Sequence, residues 1–389
     1  MTAPAFLADP APRAIFAALP GARAVGGCVR DHLAGLPVHD IDMAAPFPPE
    51  EITRRLKAAG LHVFETGLAH GTVTAVLNRA PIEVTSLRRD VVTDGRHAEV
   101  AWTTDWNEDA ARRDFTINAM SMEGDGTLHD PFDGVADLAA RRVRFVGDAA
   151  TRLAEDYLRA LRFFRFQARY GGPVPDAEAL AAIRAAVPGL ARLSAERVWS
   201  EIKRLLAAPD PRAALTLMAK SGVLPAILPE AGAPARLDAA MARGEGDVLL
   251  RLALLLPVGT DIAALARRLK FSGEEAARLR ALHATGAVPA DPSDPRARRR
   301  FAAEVAARGH ARPGEVALVA AAQGRGDLAP LFDLGPGPEF PLQGRDALAL
   351  GVPPGPRVGA LLAATRAWWL EGGAEADRAA CLDHLRGML

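Results

Sequence analysis

The hydrophobic patterning of this 389-residue chain changes near residue 148, and this change constrains its fold more than any other feature. Before that point, short apolar alternations predict β-strands between helical segments. The predicted strands are residues 23–25, 38–44, 72–77 and 81–87. After it, helical segments follow one another with Pro and Gly between them. We therefore expect an α+β protein in which a small mixed sheet precedes an all-α remainder.

The length and the charge balance set further limits. The chain exceeds the usual size of a single core, so we expect more than one packed unit. The 47 basic residues equal the 47 acidic ones, so no net charge draws the chain toward nucleic acid or an anionic membrane. Any polyanionic partner must therefore be met by a local sorting of charges.

The cysteines and the apolar segments bear on location. Cys28 and Cys381 lie near opposite ends of the chain, form no metal-ligand spacing and fit a reducing cytosol. No apolar run approaches the length of a membrane span, and the first residues lack the pattern of a signal peptide. We expect a cytoplasmic protein without a membrane partner.

Two neighbouring aspartates are the sharpest local feature. In a strand, alternation would place Asp40 and Asp42 on one face, with Ile41 and Met43 in the core. Adjacent carboxylates repel, and the pair calls for a cation, most simply Mg²⁺ bridging them to substrate phosphates. Taken alone, such a pair is more often solvated surface charge. By the same strand parity, Glu83 projects outward from its own strand and is a candidate third catalytic carboxylate.

A pair of glycines follows the first predicted strand. Gly26 and Gly27 lie where this strand ends and a helix begins, so their backbone N–H groups could approach a phosphate closely. Arg30, one turn into the helix, could clamp the same phosphates. Together with the aspartates, these residues favour attack on an α-phosphate with loss of pyrophosphate. The sequence pattern of a P-loop NTPase is not present.

Six short motifs occur in a fixed order between residues 26 and 197. They are GGCVRD at 26–31, DID at 40–42, RRDFTINA at 112–119, DPFDG at 130–134, EDYLRALR at 155–162 and SAER at 194–197. In order and spacing, the series resembles that of the class II tRNA nucleotidyltransferases, the family of the CCA-adding enzymes and the bacterial poly(A) polymerases. Further motifs at 344–346 and 351–359 resemble the C-terminal helix pair of that family, whereas residues 230–330 match it poorly.

The resemblance implies a nucleotidyltransferase head of the polymerase β type, followed by an all-α neck, body and tail. We place the head at 1–148, the neck at 149–210, the body at 211–332 and the tail, which would bind tRNA, at 333–389. Asp40 and Asp42 are implied to hold the metal ions. The residues that we predict to bind the nucleotide are Gly26, Gly27, Arg30, Arg113, Asp156, Arg159 and Arg162.

The chemistry of the last three of these residues indicates how they could select a base. A helix starting at Thr151 would present Asp156, Arg159 and Arg162 from one face. Cytosine and adenine both offer an amino donor beside a ring-nitrogen acceptor, which an aspartate and an arginine would match. Uracil and guanine would leave the same side chains mispaired, at a cost that rejects them. The alternative is that these residues form ordinary salt bridges on an exposed helix.

The leading interpretation is a template-independent polymerase that adds C, C and A to the tRNA 3′ end from CTP and ATP. Segment 88–107 resembles the flexible loop associated in this family with the switch to A addition. A poly(A) polymerase would share every head motif. Such enzymes typically carry a long basic C-terminal extension, which we do not expect here because the sequence ends at Leu389. A nucleotidyltransferase that modifies a small molecule fits the helical remainder less well. A catalytically inactive RNA-binding relative would not need Asp40 and Asp42.

Overall fold

The computed structural model describes residues 4–67, 71–93 and 98–389, which form two compact units, Met1–Ile227 and Leu228–Leu389. The described strands all lie in the first unit. They are β1 (Arg23–Val25), β2 (Asp42–Ala45), β3 (His62–Gly67), β4 (Thr72–Leu77), β5 (Ala80–Ser86), β6 (Arg88–Thr93), β7 (Ala98–Trp102), β8 (Ser121–Met122) and β9 (Leu128–His129).

Helices α1 to α12 belong to the first unit and α13 to α21 to the second. Those of the first unit are α1 (Ala5–Ala8), α2 (Pro10–Ala18), α3 (Gly27–Leu33), α4 (Pro49–Ala58), α5 (Trp106–Ala111), α6 (Gly134–Ala139), α7 (Ala149–Glu155), α8 (Leu158–Tyr170), α9 (Ala177–Ala186), α10 (Ala195–Leu206), α11 (Arg212–Lys220) and α12 (Val223–Ile227). Those of the second are α13 (Asp238–Ala242), α14 (Val248–Leu255), α15 (Ile262–Leu269), α16 (Gly273–His283), α17 (Pro295–Arg308), α18 (Pro313–Ala322), α19 (Gly344–Ala349), α20 (Pro356–Glu371) and α21 (Arg378–Arg386).

Seven of the described strands form one mixed sheet in the order β3-β4-β5-β2-β1-β8-β9. β2 and β5 run parallel, and the other neighbours are antiparallel. The turn between β4 and β5 consists of Asn78 and Arg79, which both have positive φ, as a type I′ hairpin turn requires. The predicted mixed sheet is thereby confirmed.

One face of this sheet is buried against α2 and α4. Met43, Val73 and Val84 are fully buried and pack with Ile15 and Ile52 of the two helices. Successive strand residues point to opposite faces, so the neighbours of these core residues project from the other face. That second face, called the open face below, carries the candidate site.

The patterning does not predict β3, β6, β7, β8 and β9. Most of segment 88–107 forms β6, β7 and the start of α5, and residues 94–97 within it lie outside the described residues. β6 and β7 pair with each other as a separate two-stranded sheet.

Every element in residues 149–389 is a helix, as the patterning predicts. The second unit has its own apolar clusters, one around Val316 and Leu331 and another around Trp369, Cys381 and Leu385. None of the helices in the described chain has the length and apolar character that spanning a bilayer requires. The predicted boundaries of head, neck, body and tail stay predictions.

Candidate active site

Two of the three predicted catalytic carboxylates lie side by side on the open face. Asp42 opens β2 and is paired in register with Glu83 of β5. In a parallel pair, residues in register project from the same face of the sheet. Thr74 of β4, paired in register with Glu83, continues the same row.

Asp40 lies just before β2 rather than within it. The strand predicted at 38–44 begins only at Asp42, beside the point where β1 ends and the chain turns at Gly26. Asp40 is therefore not a strand residue, and strand alternation does not determine which way its side chain projects. Ile41 nevertheless packs against the core, as predicted, and Asp40 is exposed.

The three carboxylates concentrate negative charge near the first residue of β2. Asp42 is itself exposed, but the atoms around it remove part of the hydration of its carboxyl, and this effect, followed by the charge of Glu83, raises its pKa. The charge of Asp40 adds to the rise, and Arg113 opposes it. A cleft of about 800 Å³ opens here, and all three carboxylates line it. A divalent cation bound in this cleft would relieve the repulsion.

Asp40 and Asp42 fit the predicted role of metal ligands, since carboxylate oxygens beside open space suit a hard divalent cation. Within residues 4–67, 71–93 and 98–389, no three His, Cys, Asp or Glu side chains converge as a complete ligand set. A complete set is not required, because substrate phosphates supply further ligands in phosphoryl-transfer sites. Glu83 as a third ligand stays a prediction.

The predicted phosphate turn lies at the end of the neighbouring strand. Gly26 separates β1 from α3 with φ 70° and ψ −117°, a conformation that glycine alone adopts readily. A Cβ at Gly26 would lie 2.8 Å from Nη1 of Arg113, so the glycine also makes room for that guanidinium. Gly27 begins α3, and the first N–H groups of a helix have no partner within it.

Arg113 is held between this turn and α5. Its Nη2 donates to Oδ2 of Asp109 at 3.2 Å, and its charge reaches Asp42 strongly enough to oppose the rise of the pKa there. Asp109 is 2% exposed. Burial disfavours its charge, but Arg113 and Arg112 outweigh that effect and lower its pKa. The structure thus brings Arg113 together with Gly26 and Asp42, as the sequence predicts.

Arg30 approaches the same turn from α3. Only 8% of the residue is exposed, its Nε donates to Asp31 at 3.0 Å, and its guanidinium lies 4.4 Å from the ring centroid of Tyr170. Its Nη2 lies 3.6 Å from the position that a Cβ of Gly27 would take. Arg30 is therefore fixed by protein partners with one edge toward the predicted phosphate turn.

The helix predicted from Thr151 is interrupted. α7 ends at Glu155 and α8 begins at Leu158, while Asp156 between them is extended, with φ −156° and ψ 106°. Its carboxylate accepts a hydrogen bond from the N–H of Leu158 at 3.1 Å and another from Arg197 at 2.6 Å. The prediction of one continuous helix is therefore wrong at Asp156, where the backbone is extended and the side chain bonds a backbone N–H two residues further on.

The two arginines of this trio do lie on one helix, α8. Arg159 pairs with Glu155 and donates to two backbone carbonyls. Nε of Arg162 donates to Oδ2 of Asp114 at 2.6 Å. Burial disfavours the charge of Asp114, but Arg162 and hydrogen bonds outweigh that effect and lower its pKa. Both arginines have protein partners, but only the pair of Arg159 with Glu155 is of the i, i+4 kind that the salt-bridge alternative expects. Their role in base selection stays a prediction.

Two residues that the sequence reasoning did not single out hold these parts together. Asp109 anchors Arg113, as described above. Asn118 ends a short 3-10 turn, Thr116–Asn118, is 6% exposed and contacts both Arg30 and Asp114. Asn118 lies in the motif at 112–119, so the sequence could have indicated this residue. The motif alone does not say which side chains Asn118 would contact.

The fold and the site together define a class of protein. A mixed sheet with carboxylates on its open face, beside a glycine turn flanked by arginines, is the arrangement expected of a nucleotidyltransferase head. Residues 22–144 match the family described as the poly A polymerase head domain. Residues 175–233 match the family described as a probable RNA and SrmB-binding site of polymerase A.

Relatives define the class more narrowly. The mitochondrial CCA tRNA nucleotidyltransferase 1 of Mus musculus is 37% identical over 383 residues, which cover 94% of this chain and 86% of the mouse protein. The crystal structure of the Bacillus stearothermophilus CCA-adding enzyme in complex with CTP is 27% identical, with a TM-score of 0.77 over 98% of both chains. A tRNA nucleotidyltransferase complexed with a primer tRNA and an incoming ATP analog is 25% identical, with a TM-score of 0.55 over 67% of this chain and 79% of that one.

The chain therefore belongs to the family of the CCA-adding tRNA nucleotidyltransferases. This confirms the family and the fold class that the six motifs indicated.

Proposed function

We propose that this protein adds C, C and A in turn to the 3′ end of tRNA, using CTP and ATP without a nucleic-acid template and releasing pyrophosphate. One observation carries the proposal: the match to a CCA tRNA nucleotidyltransferase spans 94% of the chain, and the candidate site lies within it. Two solved relatives are described as complexes with CTP and with a primer tRNA and an ATP analog, which are the substrates that we propose here.

The proposed phosphoryl transfer would take place at the residues on and beside the open face. We assign Asp40 and Asp42 as ligands of Mg²⁺, which when bound would neutralise the triphosphate and favour attack by the tRNA 3′-hydroxyl on the α-phosphate. The N–H group of Gly27 at the start of α3 would bind the departing phosphates, whereas the N–H of Gly26 donates to the carbonyl of Met120 at 3.2 Å and leaves Gly26 to shape the turn. Arg113, which already lies beside Gly26 and Asp42, would hold the nucleotide over the carboxylates.

Base selection is assigned to Arg159 at the start of α8 and to Asp156, two residues before this helix. Asp156 would accept a hydrogen bond from the amino group of cytosine or adenine, and Arg159 would donate to the adjacent ring nitrogen. Both are partly buried, so a mispaired base would leave polar groups unsatisfied. Their partners in this structure, Arg197 and Glu155, hold the two side chains in place before a base arrives.

The tail, residues 333–389, is proposed to contact tRNA. Arg345, Arg357 and Arg366 are exposed on its helices and could meet backbone phosphates. We place the protein in the cytoplasm, in keeping with its two buried free thiols, Cys28 and Cys381. The mouse relative is named as mitochondrial, so fractionation of the source cells is the appropriate check.

The test is a product analysis. Purified protein is given a tRNA that lacks its terminal triplet, together with Mg²⁺ and all four nucleoside triphosphates, and the extended 3′ ends are sequenced. We expect extension to stop after C-C-A. Extension that stops after C-C would restrict the activity to CC addition, and oligo(A) would show a poly(A) polymerase. Absence of any extension would refute the proposal.

A further inference from the structure

We propose that Asn118 is a positioning residue of the nucleotide site, which fixes arginines at the phosphate end and at the base end through one buried set of hydrogen bonds. The inference rests on the proposed function and deepens it. Neither the match to the family nor the motif at 112–119 assigns a role to this amide. Asn118 itself is 6% exposed, so it acts through the side chains that it contacts.

On one side, Asn118 holds Arg30. Its Oδ1 accepts a hydrogen bond from Nη1 of Arg30 at 2.5 Å. The other edge of that guanidinium is bonded to Asp31, and its face lies against the Tyr170 ring. The atom of Arg30 that lies 3.6 Å from the Cβ position of Gly27 is Nη2, on the edge paired with Asp31, so the amide and Asp31 together fix the guanidinium beside the predicted phosphate turn.

On the other side, Asn118 holds Asp114. Its Nδ2 donates to Oδ1 of Asp114 at 2.9 Å, and Oδ2 of the same carboxylate accepts from Nε of Arg162 at 2.6 Å. Asp114 is 7% exposed, so it has little access to water as an alternative partner. Arg30 and Arg162, which were predicted to bind opposite ends of the nucleotide, are therefore joined by two intervening side chains.

The backbone of Asn118 reaches a third arginine. Its carbonyl oxygen accepts from Nη1 of Arg113 at 3.3 Å, the same nitrogen that lies 2.8 Å from the Cβ position of Gly26. The 3-10 turn that ends at Asn118 thus sets the position of Arg113 as well.

The position requires the two opposite capacities of an amide. One neighbour, Arg30, can only donate, and the other, ionised Asp114, can only accept. A carboxylate at 118 would still accept from Arg30 but would repel Asp114. An alanine would leave Nη1 of Arg30 without this acceptor and would remove one of the two hydrogen bonds to Oδ1 of Asp114, which also accepts from the N–H of Phe115 at 2.9 Å. Substitutions at 118 therefore separate the two links.

The experiment uses the full-length protein, with CTP or ATP and a tRNA substrate. For Asn118→Ala we expect the KM for each nucleotide to rise roughly tenfold or more, and discrimination against UTP and GTP to weaken, because both links are lost. The KM for tRNA should stay unchanged. For Asn118→Asp, which keeps the link to Arg30, we expect a much smaller rise in nucleotide KM but the same loss of discrimination.

Thr116→Val is the matched control. Thr116 is 1% exposed in the same 3-10 turn, but its hydroxyl bonds Asp137 at 2.6 Å rather than an arginine of the site. We expect a lower Tm with unchanged nucleotide KM and unchanged discrimination.

The proposal is overturned if the Asn118 variants show only a lower Tm and a smaller active fraction, as expected for Thr116→Val. Their nucleotide KM and discrimination would then equal those of the unaltered protein. If Asn118→Ala does not fold, the comparison of Asn118→Asp with Thr116→Val decides in the same way. These outcomes presuppose that the unaltered protein extends tRNA. Its failure to do so would refute the proposed function instead.

Discussion

At the scale of single residues, the arginines predicted to bind the nucleotide are already paired with carboxylates of the protein. The pairs are Arg30 with Asp31, Arg113 with Asp109, Arg159 with Glu155 and Arg162 with Asp114. Such pairing restricts the side chains to few conformations, so less entropy is lost when a ligand binds. It also shows where part of the compensating acidic charge of this chain of zero net charge lies, namely directly beside the arginines.

Arg159→Ala tests base selection at this scale. If Arg159 reads the ring nitrogen of cytosine and adenine, its loss should reduce discrimination against UTP and GTP by roughly tenfold to a hundredfold, the cost of one buried mispaired group. Incorporation of each of the four nucleotides in single-nucleotide assays provides the measurement. Arg184→Ala, at an exposed position on α9, serves as the control and should discriminate normally. Unchanged selectivity in Arg159→Ala would leave the residue as a salt-bridge partner of Glu155.

Most of the site residues could be named from the sequence, because the motifs carry their own chemistry. Paired aspartates, adjacent glycines and a spaced Asp-Arg-Arg trio each imply a ligand before any fold is known. Asn118 and Asp109 could not be assigned in this way. Their contacts reach across the fold or across a helix end, as in the bond from Asn118 to Arg30, which depends on how β1, α3 and the 3-10 turn are packed.

At the scale of elements, the predicted boundaries fail where tertiary partners decide them. β2 begins at Asp42, beside the end of the three-residue β1, although the local alternation starts earlier, at residue 38. The helix expected from Thr151 is interrupted at Asp156, whose backbone is extended and whose side chain bonds the N–H of Leu158, the first residue of α8. β3 lies at the sheet edge, where Phe64 is 56% exposed, so the usual contrast between buried and exposed positions is weak.

Gly26→Ala tests the turn between β1 and α3. Alanine would pay for a left-handed backbone, about 1–2 kcal/mol, and its Cβ would displace Arg113. We expect a lower free energy of unfolding and a higher KM for CTP and ATP, measured by denaturant titration and steady-state kinetics. Gly35→Ala is the matched control, since Gly35 has φ 69° but open space around its Cβ position. It should lose stability alone, and an equal rise in KM in both variants would contradict this account of the turn.

At the scale of the whole molecule, the functional assignments are distributed between two compact units. The catalytic carboxylates, the glycine turn and the α8 arginines all belong to Met1–Ile227, whereas the proposed tRNA-binding tail belongs to Leu228–Leu389. Nucleotide and tRNA should therefore stabilise different parts of the chain.

Hydrogen exchange can check this division. With Mg²⁺ and CTP, we expect slower exchange in peptides around residues 26–30, 42 and 113, and little change beyond residue 228. Adding tRNA should extend protection to residues 333–389. Protection by CTP that is confined to the second unit would contradict the placement of the nucleotide site.

The most direct test of the central claim is turnover by Asp42→Ala, with Glu65→Ala as the control because Glu65 lies on the same sheet, paired with Lys57. If Asp42 is a ligand of the catalytic metal, its loss should lower incorporation of both CMP and AMP by more than about a hundredfold. Affinity for tRNA, measured by filter binding, should remain, and Glu65→Ala should be fully active. Substantial turnover by Asp42→Ala would contradict the assignment of the open face as the site of phosphoryl transfer.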